Sequence, residues 1–344
     1  MRKLLASFVL LLAACGGQTQ PVSTSDCNCG PADSNPPPPG ATNPPPSQPP
    51  AHPPPPAAPT GPAALLFSGD GPDFLSDTWS FDGTTWFART GAAPPSRVRH
   101  AMSGRAGNVV LFGGSHDFSQ PLADTWEWDG SSWHDHTTTS GPSAREDHAM
   151  ASLGDVVVLY GGEGSATAGT ETWTWDGSQW TPRATGSALN PGDRIGHAMA
   201  ALNGKIVLFG GVGADDDTWE LDPATWTWTR KTIPGPGDRA FFAMAALGGK
   251  IVLFGGEKDA NHYESDTWEY DGSTWTERTA PGPSARFHHG MTTLAGRVIL
   301  FSGETPPGSG APWPSDTWSW DGASWTQSTS TGPIGRDVYA LAAP

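Results

Sequence analysis

Six times along the chain an apolar run closes in glycine: LLFSG from Leu65, VVLFGG from Val109, VVLYGG from Val157, IVLFGG from Ile206, IVLFGG from Ile251 and VILFSG from Val298. Apolar residues at successive positions between turn formers predict strands covered on both faces. Each run after the first is preceded by a segment of the type HAMAAL, rich in small residues and Met. It is followed by an alternating segment of the type DTWEW, and then by a segment such as SSWHDHT with one tryptophan and otherwise charged or hydroxyl residues. These four segments predict four short antiparallel strands, A to D. Small residues suit strand A, where several strands converge on an axis. Alternation places the rings of strand C on one face, and polar residues suit strand D as an outer edge. Short turns such as LNGK link A to B, and DGS or DPA links C to D.

The unit recurs with a period of 46 to 50 residues. Its first tryptophans are Trp79, Trp126, Trp173, Trp219, Trp268 and Trp318, each followed seven residues later by a second at Trp86, Trp133, Trp180, Trp226, Trp275 and Trp325. Gly114, Gly162, Gly211 and Gly256 close the glycine doublets. Arginines recur in step, each with a ring three residues on, at Arg97, Arg145, Arg194, Arg239, Arg286 and Arg336. One such sheet cannot bury its own aromatics, so six must pack face to face around an axis, the arrangement of a β-propeller. Fully burying one tryptophan is worth on the order of 4 to 6 kcal/mol as an upper bound, so the periodic tryptophans dominate the packing. The first B-C-D set, from Leu65 to Trp86, has no strand A before it, and the last strand A, RDVYALAA from Arg336, has nothing after it. The C-terminal strand is therefore expected to pair beside the N-terminal B strand and close an all-β ring of six blades.

Glycine doublets after an apolar strand, followed by a distant tryptophan pair with DG between them, resemble the kelch repeat. The resemblance covers residues 63–344 and rests on three features shared by six copies. The chain writes Trp where the commonest animal form favours Tyr, and its P-x-x-R..H spelling is similar to bacterial and plant-like repeats.

Composition narrows the function. Net charge is −16, and residues 63–344 hold 17 Lys and Arg against 33 Asp and Glu, which disfavours a nucleic-acid partner. The three cysteines, Cys15, Cys27 and Cys29, all precede residue 30, so the repeat region has neither disulfide nor thiolate ligand. Arg2 and Lys3 precede the apolar run LLASFVLLLAA, which is too short to span a bilayer as a mature helix and reads as a targeting segment. LAAC at Leu12 to Cys15 resembles the lipobox of bacterial lipoproteins. That likeness implies a signal peptide over 1–14, cleavage before Cys15 and lipid on its sulfur, including the acyl chains such proteins carry. Gly16 and Gly17 stand where an inner-membrane retention aspartate would be, which favours the outer membrane or the cell surface. From Pro36 to Pro62, 15 of 27 residues are proline. Residues 15–62 are thus expected to be a disordered, lipidated stalk of polyproline character.

Strand order partitions the surface. The B to C and D to A loops share one end and vary among the repeats, which marks that end as the candidate face. Near its axis stand the two residues after each periodic arginine, from Val98 and Arg99 to Asp337 and Val338. Arg99, Glu146, Asp147, His288 and the non-periodic, proline-flanked Trp313 are the candidate ligand-binding residues. The periodic arginines, with His100, His148, His197 and His289, are expected to be structural. The family likeness adds an alternative, an anion site of arginines around the opening. The copper-radical oxidases of similar fold need a Tyr–Cys crosslink, which no cysteine here can supply. Sialic-acid epimerases resemble the blade count, and Arg99, Glu146, Asp147 and His288 would be the acid/base set of an enzyme acting on a sugar or small polar substrate. His116, Asp117, Asp259 and His262 lack metal-ligand spacing. The reading is a monomeric, lipid-anchored, non-enzymatic scaffold, with no metal or cofactor, binding a protein, peptide or glycan.

Overall fold

The computed structural model describes residues 61–164, 168–183, 190–212, 216–259 and 262–344. The expected signal peptide 1–14, Cys15, Cys27, Cys29 and all but the end of the 15–62 segment lie outside the described residues. So do parts of three B to C loops and one D to A loop.

Six four-stranded antiparallel sheets follow one another along the chain. Blade I holds B, C and D at Ala64–Gly69, Leu75–Phe81 and Trp86–Arg89, and its innermost strand is Ala340–Ala342 from the far end of the sequence. The seam pairs Leu65 with Ala342, Leu66 with Leu341 and Phe67 with Ala340. Blades II to VI begin at Ala101–Arg105, Ala149–Leu153, Ala198–Leu202, Ala243–Leu247 and Gly290–Leu294. The expected closure is present, and the only helical element among the described residues is one turn at Ala168–Thr170.

Six apolar clusters form the core, one at each blade–blade interface. Val207 and Phe209 of blade IV meet Met244, Ile251 and Trp275 of blade V, and at the seam Leu66 and Trp86 of blade I meet Ile299 and Phe301 of blade VI. Strand B carries apolar residues at four successive positions in blades II to VI because both its faces are interfaces. Its residues Leu65 to Phe67, Val109 to Phe112 and Val298 to Phe301 are at most 2 % exposed. The Ala- and Met-rich A strands line an axial cavity of about 490 Å³ at the A to B end.

The recurring D-T-W phrase has a hydrogen-bond meaning at each of its letters. In every blade the acidic residue (Asp77, Asp124, Glu171, Asp217, Asp266 or Asp316) accepts the indole N–H of the tryptophan two residues on, at 2.6–3.1 Å. It also pairs with the periodic arginine. The buried threonine between them accepts the indole N–H of the D-strand tryptophan of the next blade, at 2.9–3.1 Å.

In blade IV that second tryptophan is Trp228, not the expected Trp226. Trp228 is 3 % exposed and donates to Thr172, while Trp226 sits at φ 54° in the C to D turn, beneath the Arg183 guanidinium. Five blades turn through Asp-Gly or its equivalent with the glycine at φ 96–101°. Pro223 occupies that place in blade IV and cannot adopt a positive φ, so the turn runs two residues longer.

Candidate functional site

The periodic arginines are side chains of the frame. Each donates one Nη1 hydrogen bond of 2.9–3.1 Å to a carbonyl at the end of a B strand, such as Gly113 for Arg97 and Ser68 for Arg336. Each is also held by the carboxylate of the D-T-W phrase. All six are buried, so no arginine of this set is left to receive an anionic ligand, and the alternative of an anion site does not hold for them. The glycines they address are equally constrained. Gly113 has φ 60°, and a Cβ there would lie 2.7 Å from the Arg145 carbonyl oxygen.

Past each arginine the chain makes two steps that build the mouth. The first residue after it bridges to the start of a B to C loop: Val98 to Ser115, Glu146 to Glu163, Ile195 to Val212, Ala240 to Glu257, Phe287 to Glu304 and Asp337 to Asp70. The B to C and D to A loops are thereby stitched together on one end, as strand order required.

The second residue turns left-handed in all six blades: Arg99, Asp147, Gly196, Phe241, His288 and Val338 have φ between 43° and 63°. Their amides donate around the axis, Arg99 to Val338, Asp147 to Arg99, Gly196 to Asp147, Phe241 to Gly196 and His288 to Phe241, at 2.7–3.4 Å. Non-glycine residues held in this region cost of order 1–3 kcal/mol each and are kept where the surroundings over-determine them. The ring of amide bonds does so here.

Beneath this collar lies a second ring, His100, His148, His197, Phe242, His289 and Tyr339, and the two together enclose a cavity of about 140 Å³. Each aromatic stands edge-on to the ring of a B strand, as His100 does to Phe67 and Phe242 to Phe209. Burial, with a neighbouring periodic arginine, pushes His100 and His197 down to about 3, and His148 and His289 also well below their ordinary value. These histidines are packed edge-on against the B-strand rings, and burial disfavours their charged form.

The structure brings four of the five candidate ligand-binding residues onto the collar or beside it, and the fifth, Trp313, lies near Asp337. Arg99 lies 3.2 Å from Glu146 and 3.5 Å from Asp147, and its guanidinium covers the Phe118 ring at 4.8 Å. Asp147 is pushed up to about 7, chiefly by burial; Arg99 opposes the shift, while Glu146 and Glu163 add to it. His288 stands edge-on to Phe241 at 4.4 Å, with Asp337 3.9 Å away. Burial, followed by the Arg99 charge, pushes it down to about 3. Trp313 is half-buried, its chain packed against Gly335, and its partnerless indole N–H lies close enough to Asp337 to favour the ionised carboxylate. Asp337 is nonetheless held well above the usual carboxylate range, by burial first and then by Glu304 and Asp70.

Residues beyond those candidates change the character of the mouth. Asp70, Glu163, Glu257 and Glu304 join Glu146, Asp147 and Asp337 around it, and Arg99 pairs with two of these carboxylates. Phe74 and Phe118, from the first two B to C loops, stand 45 % and 39 % exposed with ring centres 5.7 Å apart. Of the residues weighed for a metal, His116 bonds the Ser96 carbonyl and His262 bonds Asp259, in separate loops.

Compared with known proteins, residues 56–246 match a family model described as the KLHDC2/KLHL20/DRC7 Kelch-repeats domain. No curated protein matches the chain.

Proposed function

The chain belongs to the kelch-repeat family, whose propellers commonly serve as non-enzymatic protein-interaction scaffolds, and from that premise we propose that it binds a polypeptide partner on its B to C and D to A loop face. The observation that carries this is the pairing of an acidic mouth with the solvent-exposed Phe74–Phe118 pair, joined to it through Arg99. An aromatic pair in water is an anchor point, and carboxylates around it select basic neighbours. The partner is a segment carrying an apolar side chain flanked by Lys or Arg. The LAAC motif and the proline-rich segment support an envelope lipoprotein held by Cys15 and raised on a stalk, at the outer membrane or cell surface.

A peptide array probed with the full chain tests the recognition. Basic-apolar peptides should be retained and lost by Phe118→Asp; retention of acidic peptides, or indifference to Phe118→Asp, overturns it. Cys15→Ser should leave the precursor uncut or move the chain out of the membrane fraction, and unchanged fractionation overturns the anchor.

A second reading, an enzyme on a sugar or small polar substrate, is favoured by Arg99, Glu146 and Asp147 meeting at the collar, with Asp147 held near neutrality as an acid would be. Turnover in a glycoside panel that Asp147→Asn abolishes would establish it over the scaffold.

A further inference from the structure

On the side of the collar away from Arg99's carboxylates, three chain segments deliver a donor each to one point. His288 comes from the loop entering blade VI, Glu304 from the B to C loop of the same blade, and Asp337 from the segment leading into the closing strand. One ligand atom of each lies within 4.8 Å of the other two. Both ring nitrogens of His288 are buried without a hydrogen-bond partner, and so is Oδ1 of Asp337, whose side chain is only 9 % exposed. The 3.9 Å between His288 Nδ1 and Asp337 Oδ2 is too long to satisfy either. Neighbouring cations are committed elsewhere, Arg336 to Asp77 and Arg99 to Glu146 and Asp147. Buried polar atoms are almost always paired, so the two His288 nitrogens and Asp337 Oδ1, three partnerless atoms on two adjoining groups beside the Glu304 carboxyl, call for a shared partner.

We propose that His288, Glu304 and Asp337 form a site for one first-row divalent transition cation of the Zn²⁺ or Mn²⁺ class. One imidazole nitrogen with two carboxylates suits these ions, whereas Ca²⁺ and Mg²⁺ favour all-oxygen shells. Tetrahedral coordination at about 2.0–2.2 Å would draw the three donors in by about 1 Å, a side-chain adjustment. The support around them is already built. His288 is oriented by Phe241 and Phe287, at 4.4 and 4.8 Å, and the buried, partnerless indole N–H of Trp313 lies near Asp337, where it favours the ionised carboxylate. Three protein ligands leave coordination positions open toward the mouth, so the bound ion would accept a carboxylate or carbonyl oxygen from whatever the face receives. The site stands whichever partner the rim selects.

The test is calorimetric titration of the chelator-stripped full chain with ZnCl₂ and MnCl₂, with Cys27→Ser and Cys29→Ser in place so that tail thiols do not compete. One equivalent should bind with a Kd in the micromolar range or below. His288→Phe, a residue the collar already tolerates at Phe241, and Glu304→Gln should each weaken binding at least tenfold, while His262→Ala leaves it unchanged. Absence of binding by 1 mM of either ion, or equal affinity in the variants, overturns the site. Should His288→Phe fail to fold, the half-buried Glu304→Gln decides alone.

Discussion

The indole N–H of Trp86 donates to the Thr317 hydroxyl at 2.9 Å across 231 residues of sequence. It is the same bond that joins every other pair of blades, made here at the seam. Arg336 likewise reaches back to Asp77 and to the Ser68 carbonyl, and Tyr339 donates to the Phe301 carbonyl. The ring therefore has no weak joint by construction, and everything that distinguishes the seam from the other joints rests on the last nine residues.

Deleting 336–344 removes the inner strand of blade I, one of the six arginine anchors and a member of the aromatic ring, exposing Leu66 and Phe67. The melting temperature should fall by about 10 °C or more, as expected for several kcal/mol in a domain of this size. An unchanged melting curve by differential scanning calorimetry would show that the ring does not depend on its seam.

Blade IV offers a discriminating pair. Trp228→Ala empties an interface site and orphans Thr172, at a cost of about 3–5 kcal/mol, whereas Trp226→Ala removes a turn residue whose ring rests against Arg183 and should cost about 1 kcal/mol or less. Urea denaturation of the two variants checks the order. If Trp226→Ala were the more damaging, the assignment of the interface residue would be reversed.

Arg239 is fully buried and donates to both carboxylate oxygens of Asp266 at 2.7 and 2.9 Å. Asp266→Ala should cost about 3–5 kcal/mol, because it strands a buried guanidinium and leaves the Trp268 indole without its acceptor. Asp266→Asn keeps an acceptor oxygen for one of them and should lose clearly less. Equal losses in chemical denaturation would mean that the carboxylate charge does not matter to the frame.

What the sequence made legible follows from what was periodic in it. Six apolar runs, six arginines and two tryptophans per repeat announce the blades, and the half-units at the two ends announce the seam. The D-T-W network was not visible, because Arg97 and Asp124 stand 27 residues apart and meet only once strands B and C are paired. The seven-residue spacing points to Trp226, whereas Pro223 in a glycine place is the local signal that moves the interface ring to Trp228. The mouth was located, since loops vary where the frame does not. Its chemistry was read only in part: Phe74 meets Phe118, and His288 meets Glu304 and Asp337, through non-periodic loops whose convergence no spacing encodes.

The buried histidine ring should make the fold sensitive to mild acid. His100, His148 and His289 have folded values far below the 6.5 of an unfolded chain, held there by burial and by Arg97, Arg145 and Arg286. Between pH 6.5 and about 3 the unfolded chain therefore binds protons that the fold refuses, and stability falls as pH is lowered through that window. Carboxyls held above their usual range, Asp147 and Asp337 among them, act in the opposite sense. The arginine-paired Asp77, Asp124 and Asp266 lose their contribution only below the ordinary carboxylate value near 4. The interval from pH 6.5 to 4.5 thus isolates the histidines once these opposing carboxyls are held constant. Phe242 shows that the ring accepts phenylalanine, so the triple variant His100→Phe, His148→Phe, His289→Phe should fold. Relative to the parent, its melting temperature should drop distinctly less between pH 6.5 and 4.5; parallel curves would mean that these imidazoles are not what the fold keeps uncharged.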